Sequence, residues 1–193
     1  MSFAHGGGLC DKAHDKGRFR MRQQPRLEER SASPYIGTRA RVTGEAEFRR
    51  AVDRGFPELF GWLDENDTPP AGPPFIRYLE LDDQNEPVEI ELGVPVTSRL
   101  TLDGRVRAGS LPAGRYAMLL HVGPYTSASV PDLAAARSEL LRWAEQHGVD
   151  LERSTTDGGT RFRACVEHYL TDPRSEPDSS KWQTELAYLT AES

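Results

Sequence analysis

The chain has 193 residues, of which 37% are hydrophobic and 28% charged, with a net charge of −6 and a mean hydropathy of −0.62. No apolar run approaches the roughly 20 residues that a membrane-crossing helix needs. The acidic balance argues against duplex nucleic acid as a direct partner, since phosphate binding requires concentrated Lys and Arg. Two cysteines, Cys10 and Cys165, give no disulfide framework, so a cytoplasmic location is expected.

Residues 1–23 carry Gly6-Gly7-Gly8 and scattered charge without periodicity, and read as a disordered leader before a single domain over 24–193. Met21 is a candidate for an alternative start. His5-Gly6-Gly7-Gly8 resembles an esterase oxyanion loop, but the chain has no G-x-S-x-G nucleophile elbow to go with it. Cys10 and His14 supply two ligands, too few for a structural zinc site. No metal or other cofactor is expected.

Ser33-Pro34 then introduces a strand over 35–42. From Glu45 to about Asn66, apolar residues at Phe48, Val52, Phe56, Leu59, Phe60 and Leu63 follow a helical period, with a break predicted near Gly55-Phe56-Pro57. The Pro-rich stretch 68–74 ends that helix, and strands follow over 75–81 and 88–96. The order then recurs. A strand spans 115–122, and a helix covers 132–147 with Leu133, Ala136, Leu140, Leu141 and Ala144 on its apolar face. Gly148 caps it, and strands over 161–170 and 182–190 close the chain. Trp62 and Trp143 fall near corresponding helix ends, 81 positions apart (143 − 62), and Tyr78-Leu79 matches Tyr169-Leu170. The chain is a duplicated strand–helix–strand–strand unit, with pseudo-repeats at about 35–96 and 115–190.

Two such units pairing edge to edge give an α+β fold: one antiparallel sheet, two main helices on one face and a central cleft on the other. Glu89, Glu91 and Glu185 alternate with apolar residues and point away from the helices. On the strand Cys165-Val166-Glu167-His168-Tyr169, the Glu167 side chain shares its face with Cys165 and Tyr169. An acid among apolar neighbours needs a cation or a hydrogen-bond donor. One reading makes Glu167 a surface acid paired with Arg163, Arg161 or Arg77, and the other makes it a ligand anchor.

Arg115-Tyr116 through His121-Val122-Gly123-Pro124-Tyr125, the helix end Trp143-Ala144-Glu145-Gln146-His147-Gly148, the run Val166–Pro173 and the closing Lys181-Trp182-Gln183-Thr184-Glu185-Leu186 appear in that order. Together with Phe75–Leu79 and Ile90–Val96, they resemble the GyrI-like (gyrase-inhibitor-like) effector-binding superfamily over about residues 24–190. The resemblance implies two strand–helix–strand–strand repeats around a cleft. It also implies one of three activities that the superfamily contains: drug sensing or sequestration, interaction with gyrase, or hydrolysis of cyclopropane-bearing alkylators. Glu167 is then the cleft glutamate, with Tyr169, Tyr78, Trp143, Trp182, Glu91 and Glu185 as further ligand-binding candidates. A standalone binder of cationic or aromatic compounds is the first expectation. The alternatives are a strained-ring hydrolase with Glu167 as general base and Tyr169 as its partner, and a gyrase-binding module with an acidic surface. Cys165 is expected as an unreactive small thiol, and His121 as structural.

Overall fold

A computed structural model describes residues 24–82, 84, 86–102, 104–126 and 132–191; the expected leader, with Cys10 and His14, lies outside them. The strands are β1 (Arg26–Arg30), β2 (Ser33–Arg41), β3 (Phe75–Asp82), β4 (Pro87–Pro95), β5 (Arg107–Leu111), β6 (Gly114–Val122), β7 (Arg153–Thr156), β8 (Gly159–Phe162), β9 (Cys165–Tyr169) and β10 (Gln183–Leu189). The helices are α1 (Gly44–Glu65) and α2 (Leu133–Gln146). No helix is long and apolar enough to cross a membrane among the described residues.

The duplication is visible in the sheet. Its order is β1-β6-β10-β9-β3-β4-β2-β5, so β6-β10-β9 of the second unit mirrors β2-β4-β3 of the first about the β9–β3 seam. An offset of 81 (107 − 26) carries β1 onto β5 and also β2 onto β6 (114 − 33). At the seam, Ile76 lies opposite Glu167. The local offset there is 91 (167 − 76), and it carries Tyr78 onto Tyr169.

The outer strands cross between the units, β1 pairing with β6 and β5 with β2, both antiparallel. Paired residue numbers add to 144 in both ladders (26 + 118 and 33 + 111). β1–β2 and β5–β6 therefore run as one antiparallel pair, interrupted at Ser31-Ala32 and Pro112-Ala113. This pairing draws the ends of the strand order together and curls the sheet into a half-barrel.

Period-2 alternation splits the buried residues into two layers. Ile76, Tyr78, Ile90, Leu92, Leu119, Cys165, Leu186 and Tyr188 pack with Leu59 and Leu63 of α1 and Leu133, Ala136 and Leu140 of α2. Tyr35, Phe75, Tyr116, Met118, Val166 and Ala187 form a second cluster on the opposite face. Phe75 is wholly buried there, its ring lying where a Cβ on Gly93 would stand, so the aromatic fits only because position 93 is glycine. Burying one such side chain contributes about 1.5–3 kcal/mol.

Three local expectations differ from the structure. α1 runs unbroken through Pro57, because the faces on either side of the proline continue to bury, at Gly55 and then at Leu59 and Leu63. The strand expected over 161–170 is two strands, since the chain turns at Arg163-Ala164 and β8 leaves to pair with β7. The edge strands β1, β5 and β7, rich in exposed charged or small residues, carry no apolar alternation and escaped the pattern.

Candidate functional site

Glu167 is wholly buried at the seam of the two repeats. Its cross-strand neighbours Ile76 and Leu186 are apolar, so the sheet itself offers the carboxylate nothing. Three side chains supply what is missing. The Tyr78 hydroxyl donates to Oε2 at 2.9 Å and the Tyr169 hydroxyl to the same oxygen at 3.2 Å. Oε1 accepts from Arg137 Nε, in an ion pair that reaches in from α2. Arg137 also donates from Nη2 to the Tyr78 hydroxyl at 3.2 Å, and its guanidinium carbon lies 5.1 Å from the Tyr78 ring centroid.

The electrostatics follow from this closure. Burial raises the Tyr78 pKa well above 10, and the neighbouring Glu167 charge raises it further. Tyr169 is likewise raised well above 10, by burial first and then by Tyr78 and Glu167. Both phenols therefore stay protonated and act as donors. Burial works against the Arg137 charge, but Tyr78 and Glu167 outweigh it, so its pKa is raised and the guanidinium stays charged. Cys165, buried on the same face, is pushed up to about 12 by desolvation and holds no thiolate at neutral pH. His121 Nε2 donates to the Pro124 carbonyl at 3.1 Å and pins the turn after β6.

Aromatic rings surround the carboxylate from both units. Phe48 of α1 stacks on Tyr78 at 6.5 Å, and Phe56 meets Tyr169 edge-on at 6.5 Å. Tyr125, after β6, meets Tyr169 at 5.3 Å, and Trp182 lies 4.7 Å from Tyr125. Glu167, Tyr78 and Tyr169 thus meet directly, while Trp182 joins them through Tyr125. Trp143 lies six residues beyond Arg137, stacked on His147 at 4.6 Å in the last turn of α2.

The other two acids lie across the sheet. Glu91 and Glu185 point away from the helices, as their alternation indicates, but Glu167 is on the helix-bearing face, where the sequence reading did not put it. Glu91 accepts from the Tyr35 hydroxyl at 2.6 Å and pairs with Arg39 at 3.0 Å and Arg77 at 3.3 Å. Glu185 pairs with Arg30 at 2.9 Å. The arginines considered as partners for Glu167 are engaged elsewhere: Arg163 with Glu152 at 2.8 Å, Arg161 with Glu80 at 2.7 Å, and Arg77 with Glu91. Two open cavities share Ala113 and Arg163, one of about 370 Å³ reaching Glu152 and Leu189 and one of about 460 Å³ reaching Arg77 and Arg99, and neither is lined by Glu167.

Sequence reasoning missed Arg137, although its position carried a signal. Leu133, Arg137, Leu140 and Ala144 lie at helical spacing on one stripe, and a cation in a buried stripe asks for a buried acid. Phe48 and Phe56 were read as plain core residues, and nothing local distinguishes them.

The fold recurs in solved structures. The C-terminal domain of EcmrR superimposes with a TM-score of 0.64 at 19% identity, covering 88% of this chain and 98% of that one. A hydrolase from Listeria innocua gives 0.55 at 13% identity, with 90% and 94% covered. SAV2435 bound to tetraphenylphosphonium gives 0.52 at 11% identity, with 88% and 94% covered. At these identities the likeness establishes the fold. No curated protein matches the sequence. The profile of the GyrI-like small molecule binding domain matches residues 23–188, most of the chain, and the chain belongs to the GyrI-like small-molecule-binding family.

Proposed function

We propose that the seam between the repeats binds an aromatic, drug-like organic molecule, a cation above all, with Glu167 as its charge anchor and Tyr78, Tyr169, Tyr125, Phe56 and Trp182 as its ring contacts. The observation that carries this reading is the complete burial of Glu167 among rings from both units. A buried ion pair adds little or nothing to stability over apolar packing of similar volume, so its presence at the symmetry seam calls for another reason. A carboxylate attracts cations, while ring faces add roughly 0.5–2 kcal/mol per cation–π contact and tolerate many shapes. SAV2435, which shares the fold, holds tetraphenylphosphonium. The protein then sequesters or senses such compounds in the cytoplasm.

Calorimetric titration with tetraphenylphosphonium tests the assignment. Glu167→Gln, which keeps the shape and removes the charge, is expected to weaken binding at least tenfold with the fold retained. Equal affinity in the two proteins rules out the anchor.

A second reading rests on the same two phenols. A carboxylate with two protonated tyrosines on one oxygen is a set able to activate water and protonate a leaving group. It makes the protein a hydrolase of strained electrophilic rings, with Glu167 as base and Tyr169 as partner. Incubation with a cyclopropane-bearing alkylator decides between the two, because only an enzyme turns over more than one equivalent.

A further inference from the structure

Glu167 meets its cation from one direction only. The carboxylate side chain is 1% exposed, whereas the Arg137 side chain above it is 30% exposed. Arg137 is therefore the outermost member of the cluster, bonded inward to Glu167 and lying over the Tyr78 ring. Two of its three contacts, an ion pair and a cation–π contact, are those by which the proposed site would hold an organic cation; the third is its hydrogen bond to the Tyr78 hydroxyl. Its anchors in the sheet are side chains alone, the Glu167 carboxylate and the Tyr78 ring and hydroxyl. It rises from α2, which reaches the sheet through side chains, while every strand neighbour of Glu167 is held by backbone ladder bonds.

We infer that Arg137 is a resident cation occupying the ligand's place, and that an organic cation binds by displacing it from Glu167. This rests on the proposed binding function and adds what that function selects for. Exchange of one cation for another on Glu167 nearly cancels in Coulomb energy, so charge alone cannot drive entry. The released guanidinium returns to water, and its hydration offsets part of the loss. The ligand must supply the difference through apolar and ring area. Small hydrophilic cations fail this requirement, whereas broad aromatic monocations with delocalised charge meet it. Arg137 thus determines specificity by setting a threshold.

The full chain titrated with ethidium, read by fluorescence, tests this. Arg137→Gln removes the competitor and is expected to tighten ethidium binding at least tenfold. Arg137→Gln/Glu167→Gln is expected to bind no tighter than wild type. Arg137→Lys keeps a charge but loses the planar fork that stacks on Tyr78, and is expected to bind about threefold tighter or more. Should Arg137→Gln prove unfolded by circular dichroism, the lysine variant decides. Unchanged or weaker ethidium binding in a folded Arg137 variant overturns the inference. If affinity is then still lost in Glu167→Gln, the binding function stands and only displacement falls. Absence of ethidium binding in every form overturns both.

Discussion

The two faces of the sheet each bury a glutamate, a phenol and a guanidinium, yet the clusters are built differently. Glu91 lies directly opposite Arg39 on β2 and Arg77 on β3, so its cations come from its two neighbouring strands, in register. The ladder that makes the sheet also sets the members of that cluster against one another. Glu167 lies opposite Ile76 and Leu186 and takes its cation from a helix packed above. Of two chemically similar clusters, one draws its cations from neighbouring strands and the other from a packed helix, and the second is the one proposed to exchange its cation for a ligand.

The largest effect expected from this difference is on stability. Glu167→Ala leaves the buried Tyr78 and Tyr169 hydroxyls without their acceptor, at about 1–3 kcal/mol each, while Arg137, 30% exposed, turns to water. Chemical denaturation measures it. Glu91→Ala should cost less, about 2 kcal/mol, because Arg39 is half exposed and regains water, although Arg77 does not. It should also leave tetraphenylphosphonium binding intact. A Glu91 variant that loses the ligand while folded breaks the distinction between the faces.

The far face can be tested by pH. His168 lies there against Phe75 at 5.5 Å, opposite Glu185 on β10, with Arg30 of β1 nearby. Burial first, and then the Arg30 charge, lower its pKa from 6.5 to about 4. The unfolded chain therefore binds the proton more readily. The stability from neutral, buried His168 is fully present above about pH 6.5 and is lost as pH falls toward 4, by about 3 kcal/mol at roughly 1.4 kcal/mol per pH unit. His168→Phe should flatten that part of the stability–pH curve. If the slope between pH 4 and 6.5 persists in the variant, neutral, buried His168 is not its source.

Much of this architecture was legible in the sequence because it rests on short-range pattern. The alternation of Ile90-Glu91-Leu92 and the 3.6 period of Leu133, Ala136 and Leu140 depend only on residues a few positions apart. The duplication followed from recurring order, and the equivalence of Tyr78 and Tyr169 from matching place. The crossing of β1 and β5 was hidden, because those strands pair with chain about 80 residues away and carry no apolar face of their own. The side of the sheet on which Glu167 lies was hidden as well. With buried residues on both faces, as Cys165, Val166, Glu167 and His168 all are, alternation separates two sets without saying which meets the helices. Arg137 was the missing pointer, since a cation on the buried stripe of α2 can be answered only by an acid on the face that α2 covers.

The smallest effect tests whether α2 is the movable element. Asp132 caps this helix, accepting from the Ala135 amide at 3.1 Å, and Arg137 follows little more than one turn later. Removing such a cap costs about 1 kcal/mol, and most of that loss falls on the first turns. Asp132→Ala should therefore lower the melting temperature by a few degrees and speed amide exchange over Leu133–Arg137. The amides of β2 and β4, which hold the Glu91 cluster, should be unaffected. By weakening the hold of Arg137 on Glu167 it should also tighten ethidium binding, by less than Arg137→Gln does. If exchange quickens equally in α2 and in the β2–β4 ladder, the helix and sheet open as one unit, and the contrast between a fixed and a removable cation fails.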